Sequence, residues 1–230
     1  MDIHILYEDN HLLVVEKPVN IPVQEDDSGD LDLLTILKQD LKERYQKPGN
    51  VYLGLVHRLD RPVGGVLVFA KTSKAASRLS DVLRKREMKR TYVAVVRGIL
   101  RDEGRLMHYL WKDSKKNIVH AVSEKHPGAK KAVLDYKTII REKQLSLLSV
   151  RLHTGRSHQI RVQLSESGAP LFGDQKYGKH VNRPGEQIAL WAHTLEFPHP
   201  TTKEQLTFVS YPPEEYPWTI WKKRESYLSV

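Results

Sequence analysis

The chain contains no cysteine, which excludes a disulfide framework and thiolate metal sites. It has no apolar run near the roughly 20 residues that cross a bilayer, and no basic amphipathic stretch suited to lying on a membrane surface. Its first residues, MDIHILYEDNHLLVVEK, set Asp2, Glu8 and Asp9 where a secretory signal has a basic region and an unbroken apolar one. A cytoplasmic protein without membrane association is therefore expected. There is no internal repeat, and no Gly/Ser linker long enough to separate domains. Among 11 histidines, the pairs His57/Asp60 and His153/His158 lack a recognised ligand spacing such as HExxH, and no carboxylate cluster suits two-metal chemistry. A metal-dependent phosphodiesterase ranks last among the functions considered.

What is present is a chain of 230 residues, 40% of them hydrophobic, enough to bury a sizeable core. One domain over residues 1–230 is expected, and a monomer. Lysine and arginine number 37 against 28 aspartates and glutamates, a net charge of +9. Such a surface attracts polyanions, so nucleic acid is the leading partner class.

Residues 3–7 and 11–16 are short β-prone runs around Glu8-Asp9-Asn10, a hairpin pattern that ends at Lys17-Pro18. After the acidic loop 24–30 (QEDDSGD), Leu31, Leu33, Leu34, Leu37 and Leu41 recur at helical spacing until Lys47-Pro48-Gly49. VYLGLV (51–56) and VLVFA (66–70) read as strands. Thr72 is placed to cap a helix running to about Arg86, with Ala75, Ala76, Leu79, Val82 and Leu83 on one face. TYVAVVRG (91–98) reads as a strand. β-Prone stretches follow near 105–111, 118–123, 132–140 and 145–152, then a short helix from about Arg156 to Ser167 and strands near 188–197 and 205–211. Successive strands with few helices predict an α+β fold with a mixed, largely antiparallel sheet flanked by helices.

Two segments stand out chemically. HRLDRPVGG (57–65) joins two apolar strands, where Pro62 restrains Arg61 and the glycines permit a sharp return. Asp60 there is either a carboxylate held in an Asx-type turn or a catalytic group displayed on a short loop; spacing does not separate the two. In HTGRSHQIR (153–161), Arg156 falls in the first turn of the expected helix, where the macrodipole disfavours a cation. It is either a functional residue or half of a surface ion pair.

Together these segments resemble the RluA-type RNA pseudouridine synthases. Their order here is ILYEDNHLLVVEKP, HRLD, KRTYVAVVRG, TGRSHQIR, GDQKYG and AHTLEFPHPTTKEQLTF, and the resemblance covers residues 5 to about 213. Two positions depart from the family pattern. Val63-Gly64-Gly65 replaces a Thr-Ser-Gly run, and Gln163 stands where histidine is usual; substrate preference is where these would act. The resemblance also implies that the separate N-terminal RNA-binding domain of some members is lacking.

The reaction so implied breaks the N1–C1′ bond of a uridine in ribosomal or transfer RNA, turns the base, and joins C5 to C1′, with neither cofactor nor metal. The resemblance makes Asp60 the catalytic carboxylate, acting by charge stabilisation, covalent attack or proton abstraction. It makes Arg156 its partner and Tyr92 the aromatic against the target base. A stacked uridine must be flipped out, and Arg58 matches the arginine that fills the gap. Independently of the resemblance, Lys85, Arg86, Lys89 and Arg90 belong to a basic run that offers a phosphate-binding edge, although such runs are often solvated helix ends. Lys222, Lys223 and Arg224, among the aromatics Tyr216, Trp218, Trp221 and Tyr227, form a weaker basic cluster. The competing reading is a non-catalytic RNA-binding protein that kept the fold.

Overall fold

LLVVEK and GGVLVFA are apolar at successive rather than alternate positions, the pattern of strands covered on both faces. In the computed structural model, which describes residues 3–221, they form β2 (Leu12–Lys17) and β4 (Gly64–Ala70), and Leu12, Leu13, Val14, Leu67, Val68 and Phe69 are all fully buried. The chain divides into two units, Met1–Arg90 with Ala192–Tyr211 and Thr91–Trp191 with Pro212–Val230.

In the first unit β1 (Ile5–Glu8), β2, β4 and β10 (Leu190–Pro198) lie in that order, with β3 (Gly54–Leu55) on β4 and β11 (Gln205–Val209) on β10. The expected strand 51–56 shortens to these two residues. β2 occupies one edge of β4 from Ala70 to Gly65, and β3 shares the other with β10, pairing only at Ala70 and Phe69. Helix α1 (Leu33–Arg44) starts at Asp32, whose carboxylate accepts from the Thr35 amide at 3.1 Å; Leu31, outside it, is exposed. Helix α2 (Ser73–Arg84) is capped by Thr72 as expected, the hydroxyl accepting from the Ala75 amide at 3.1 Å. Its Ala75, Leu79 and Val82 pack with Leu12, Val14, Val66, Val68 and Phe197; each buried aliphatic side chain contributes about 1.5–3 kcal/mol.

In the second unit β5 (Lys89–Arg97, whose first two residues belong to the other unit), β9 (Leu145–Leu152), β8 (Lys130–Glu142), β6 (Glu103–Asp113) and β7 (Ile118–Val122) follow one another, antiparallel at each step. Helix α3 (Gln159–Glu166) covers one face of the β6–β7 end, where Val162 meets Leu110, Val119 and Ala132. Gln163, wholly buried, donates to the carbonyls of Leu106 (3.2 Å) and Ala132 (3.3 Å). The α+β architecture is the one expected. Lys222, Lys223, Arg224 and Tyr227 lie outside the described residues; Trp218 and Trp221 are buried and Tyr216 is exposed.

Candidate active site

Side chains alternate along the extended segment after β3. His57 and Leu59 are buried, whereas Arg58 is exposed and Asp60 half-buried. The two apolar-side anchors thus leave Arg58 and Asp60 at the surface. The chain then turns, the Val63 amide donating to the Asp60 carbonyl at 2.9 Å. At Gly65 φ is +113°, and a Cβ would come within 2.2 Å of the Ala192 carbonyl oxygen, so only glycine fits this return into β4.

Lys17, at the end of β2, is fully buried and spends its three N–H donors on the carbonyls of Pro18 (2.8 Å), Arg61 (3.0 Å) and Val63 (2.8 Å). Burial draws its pKa down to about 7, opposed by the nearby Asp60 carboxylate and reinforced by the Arg61 charge. Three acceptors match the protonated amine, since a neutral one has only two N–H groups. Lys17 thereby fixes the backbone on the C-terminal side of Asp60. On the outer side Arg61 pairs with Asp30 and donates to Ser28 Oγ (3.0 Å) and the Asn20 carbonyl (3.1 Å), tying down the acidic loop. In the sequence Lys17 marks only the end of the hairpin pattern; the signal for its role is a lysine closing an apolar run just before Pro18.

His57, beneath the loop, has no hydrogen-bond partner on either ring nitrogen among the described residues. Burial, with the Arg90 charge adding to it, pushes its pKa down to about 3, so it is neutral at physiological pH. The basic run lies at the α2–β5 turn. Lys85 and Arg86 are exposed, Lys89 pairs with Glu196 at 3.1 Å, and Arg90 is half-buried, its Nε without a hydrogen-bond partner among the described residues.

Tyr92 and Arg156 belong to the second unit. Tyr92 is buried in β5 opposite Val150. Arg156 is exposed, its Nε donating to the Lys131 carbonyl at 3.0 Å. It does not lie in a helical turn as expected: α3 begins only at Gln159, after His158 at φ +50°. Gln159 ties the segment before the helix down: its side-chain oxygen accepts from the Arg156 amide (3.0 Å) and the Thr154 hydroxyl (2.8 Å) while its Nε2 donates to the Val133 carbonyl (3.1 Å). Arg156 therefore stands outside the helix and does not oppose its macrodipole.

The same segment explains the GDQKYG block. Arg161, buried, forms a two-point pair with the fully buried Asp174 (2.8 and 2.9 Å), over the ring of Tyr177. Burial pushes the Asp174 pKa up, but Arg161 and the amides of Tyr177 and Lys176 outweigh it and hold the group below its ordinary value. His158 Nδ1 lies 2.6 Å from the Tyr177 hydroxyl. Among the described residues no cluster of three or more His, Cys, Asp or Glu could hold a metal ion, and no helix is long and apolar enough to cross a membrane.

Comparison with known proteins places this geometry in context. Residues 11–166 match the family described as RNA pseudouridylate synthase. The chain is 37% identical over 210 residues to the uncharacterized RNA pseudouridine synthase YhcT of Bacillus subtilis, covering 88% of this chain and 66% of that protein. It is 34% identical over 229 residues to the ribosomal large subunit pseudouridine synthase D of Vibrio cholerae, covering 94% and 69%. It thus spans about two thirds of the length of these relatives. Among solved structures, human RNA pseudouridylate synthase domain containing 4 shares the fold, with a TM-score of 0.75 at 24% identity over 91% of this chain and 88% of that one.

Proposed function

This chain belongs to the RNA pseudouridylate synthase family, and we propose that Asp60 is the carboxylate with which it converts uridine in RNA to pseudouridine. The observation that carries this is the loop itself. A buried ammonium holds the carbonyls of Arg61 and Val63, and the half-buried Asp60 is presented beside the exposed Arg58. A plain turn needs no such fixing, whereas a group that must meet C1′ does.

A carboxylate at C1′ offsets the positive charge that develops as the N1 bond breaks, by attack or by taking a sugar proton. The base then turns, C5 joins C1′, and the C5 proton leaves. Arg58 fills the stack that the flipped uridine vacates; its exposure suits that task. The roles that the family resemblance gives Tyr92, against the target base, and Arg156, as partner of Asp60, are proposed with it. Lys85, Arg86, Lys89 and Arg90 are proposed as phosphate contacts; the first three are exposed and Arg90 is half-buried.

Residues 1–230 are read as one catalytic domain, supported by a relative that aligns with 94% of the chain. The substrate is read as ribosomal or transfer RNA, supported by a relative named for the large ribosomal subunit. The cytoplasm, where such RNA is met, is the proposed compartment, and the monomer the proposed state; light scattering tests the latter.

The test of the reaction is Asp60→Asn. Tritium release from RNA labelled at uridine C5 should vanish while RNA affinity stays within a few-fold of the native protein. Release persisting in a folded variant refutes the role of Asp60. A non-catalytic binding protein would release no tritium even in native form.

A further inference from the structure

At the β6–β7 end of the second unit's sheet the face opposite α3 is open, whereas at the β5–β9 end Val93, Val95 and Leu147 are buried. Leu110, Val119 and Ala132 turn toward Val162 of the helix, so the alternate residues of β6, β7 and β8 point the other way. These include Met107, 55% exposed, and Trp111, directly across from His120 in register. The Trp111 and His120 rings are stacked, with centroids 6.0 Å apart and planes at 27°, and His126 adds a third ring 5.1 Å from Trp111. Trp111 thus carries one near-parallel ring and one tilted by 52°, an aromatic platform at an open sheet face.

Charge surrounds it. Residues 109–131 hold six lysines and two acids. Both acids are engaged: Asp113 accepts from the amides of Lys115 (3.0 Å) and Lys116 (3.1 Å), and Glu124 from the Tyr109 hydroxyl at 2.5 Å. Lys115, Lys116, Lys125 and Lys131 are exposed, and no ion pair engages them among the described residues. Unneutralised cations around stacked rings are what single-stranded nucleic acid needs, because every base has a π-face and every linkage a charge. The Arg156 guanidinium, bonded to the Lys131 carbonyl, borders this face.

We propose that this face is an RNA-docking surface: an unpaired nucleobase of the substrate stacks on the Trp111–His120–His126 platform, and flanking phosphates meet Lys115, Lys116, Lys125 and Lys131. This rests on RNA being the substrate, and adds a binding site apart from the basic run at the α2–β5 turn.

Of the four tryptophans, Trp191, Trp218 and Trp221 are buried at 4–6% exposure, whereas Trp111 is half-open. The part of the indole emission that Trp111→Phe removes therefore reports on the platform in the full chain. Titration with single-stranded RNA should quench it, and Trp111→Phe should abolish the quenching while labelled RNA still binds. Heparin, a polyanion without bases, should bind without quenching. Replacing Lys115, Lys116 and Lys125 together with glutamine should lower the salt slope of RNA binding by about two and weaken it roughly a hundredfold at 0.1 M salt. KM for RNA should rise in step, with kcat unchanged. RNA binding that leaves the emission unaltered, equal quenching by heparin, or normal affinity in the triple variant would each overturn the proposal. Asp60→Asn should quench as the native protein does. Quenching without tritium release in the native protein condemns the catalytic reading alone, and release without quenching condemns the docking surface alone.

Discussion

Replacing Lys17 with methionine removes the ammonium while keeping most of the side chain's volume. Three buried or half-buried carbonyls, of Pro18, Arg61 and Val63, then lose a donor. An unsatisfied buried acceptor costs about 1–3 kcal/mol, so three cost roughly 3–9 kcal/mol. Part of this is offset, because the buried ammonium, its pKa drawn down to about 7, is itself held at a cost. A net loss of about 2–4 kcal/mol remains, which for a chain of this size lowers Tm by roughly 5–15 °C. Turnover should fall further than stability. A displacement of order 1 Å in the Asp60 backbone costs roughly a hundredfold in rate, whereas RNA binding by the exposed cations is untouched. Urea unfolding and tritium release on the same preparations measure both. The pH dependence supplies a second signature. Between about pH 7 and the unfolded value of 10.5 the unfolded chain holds the extra proton, so native stability rises with pH across that window. Lys17→Met should flatten that rise. A variant that melts within 2 °C of the native protein, by the ~2–4 °C per kcal/mol expected, and turns over normally would refute the assigned fixing of the loop.

Three further outcomes are expected. Arg161→Met leaves the Asp174 carboxylate fully buried without its guanidinium, and chemical denaturation should show a loss of about 3–5 kcal/mol; a loss under 1 kcal/mol, below the ~3 kcal/mol floor for breaking a buried pair, contradicts the pairing. His57, its pKa depressed to about 3, stays neutral while the unfolded chain takes up a proton near 6.5. Stability should therefore fall as pH drops through that window, by up to about 1.4 kcal/mol per pH unit, and His57→Leu should lessen the fall; an unchanged acid limb in the variant excludes the histidine as its source. Arg156→Met removes one exposed bond to the Lys131 carbonyl, so Tm should move little while turnover drops at least tenfold, roughly a 1.4 kcal/mol rise in barrier; near-native turnover rules out the catalytic role.

The sequence by itself determined the elements whose causes are local. Thr72 caps α2 through an amide three residues away, the leucines of α1 repeat at helical spacing, and the doubly buried strands show as unbroken apolar runs. The HRLD loop was legible because a strand end, a proline and two glycines are adjacent in the chain. Tertiary structure alone decided what joins distant residues. Lys17 reaches carbonyls 44 and 46 positions away, and Arg161 finds Asp174 only because α3 and the following turn are folded together. The start of α3 was misjudged for the same reason. Gln159 prefers Thr154, the Arg156 amide and Val133 of another strand, and a partner on a different strand leaves no trace in helical periodicity. Trp111, His120 and His126 likewise became a platform only when β6 and β7 paired in register. Periodicity records which side of one element meets the core; the alignment of one element against another is set by packing and hydrogen bonds between them, and no single segment carries that information.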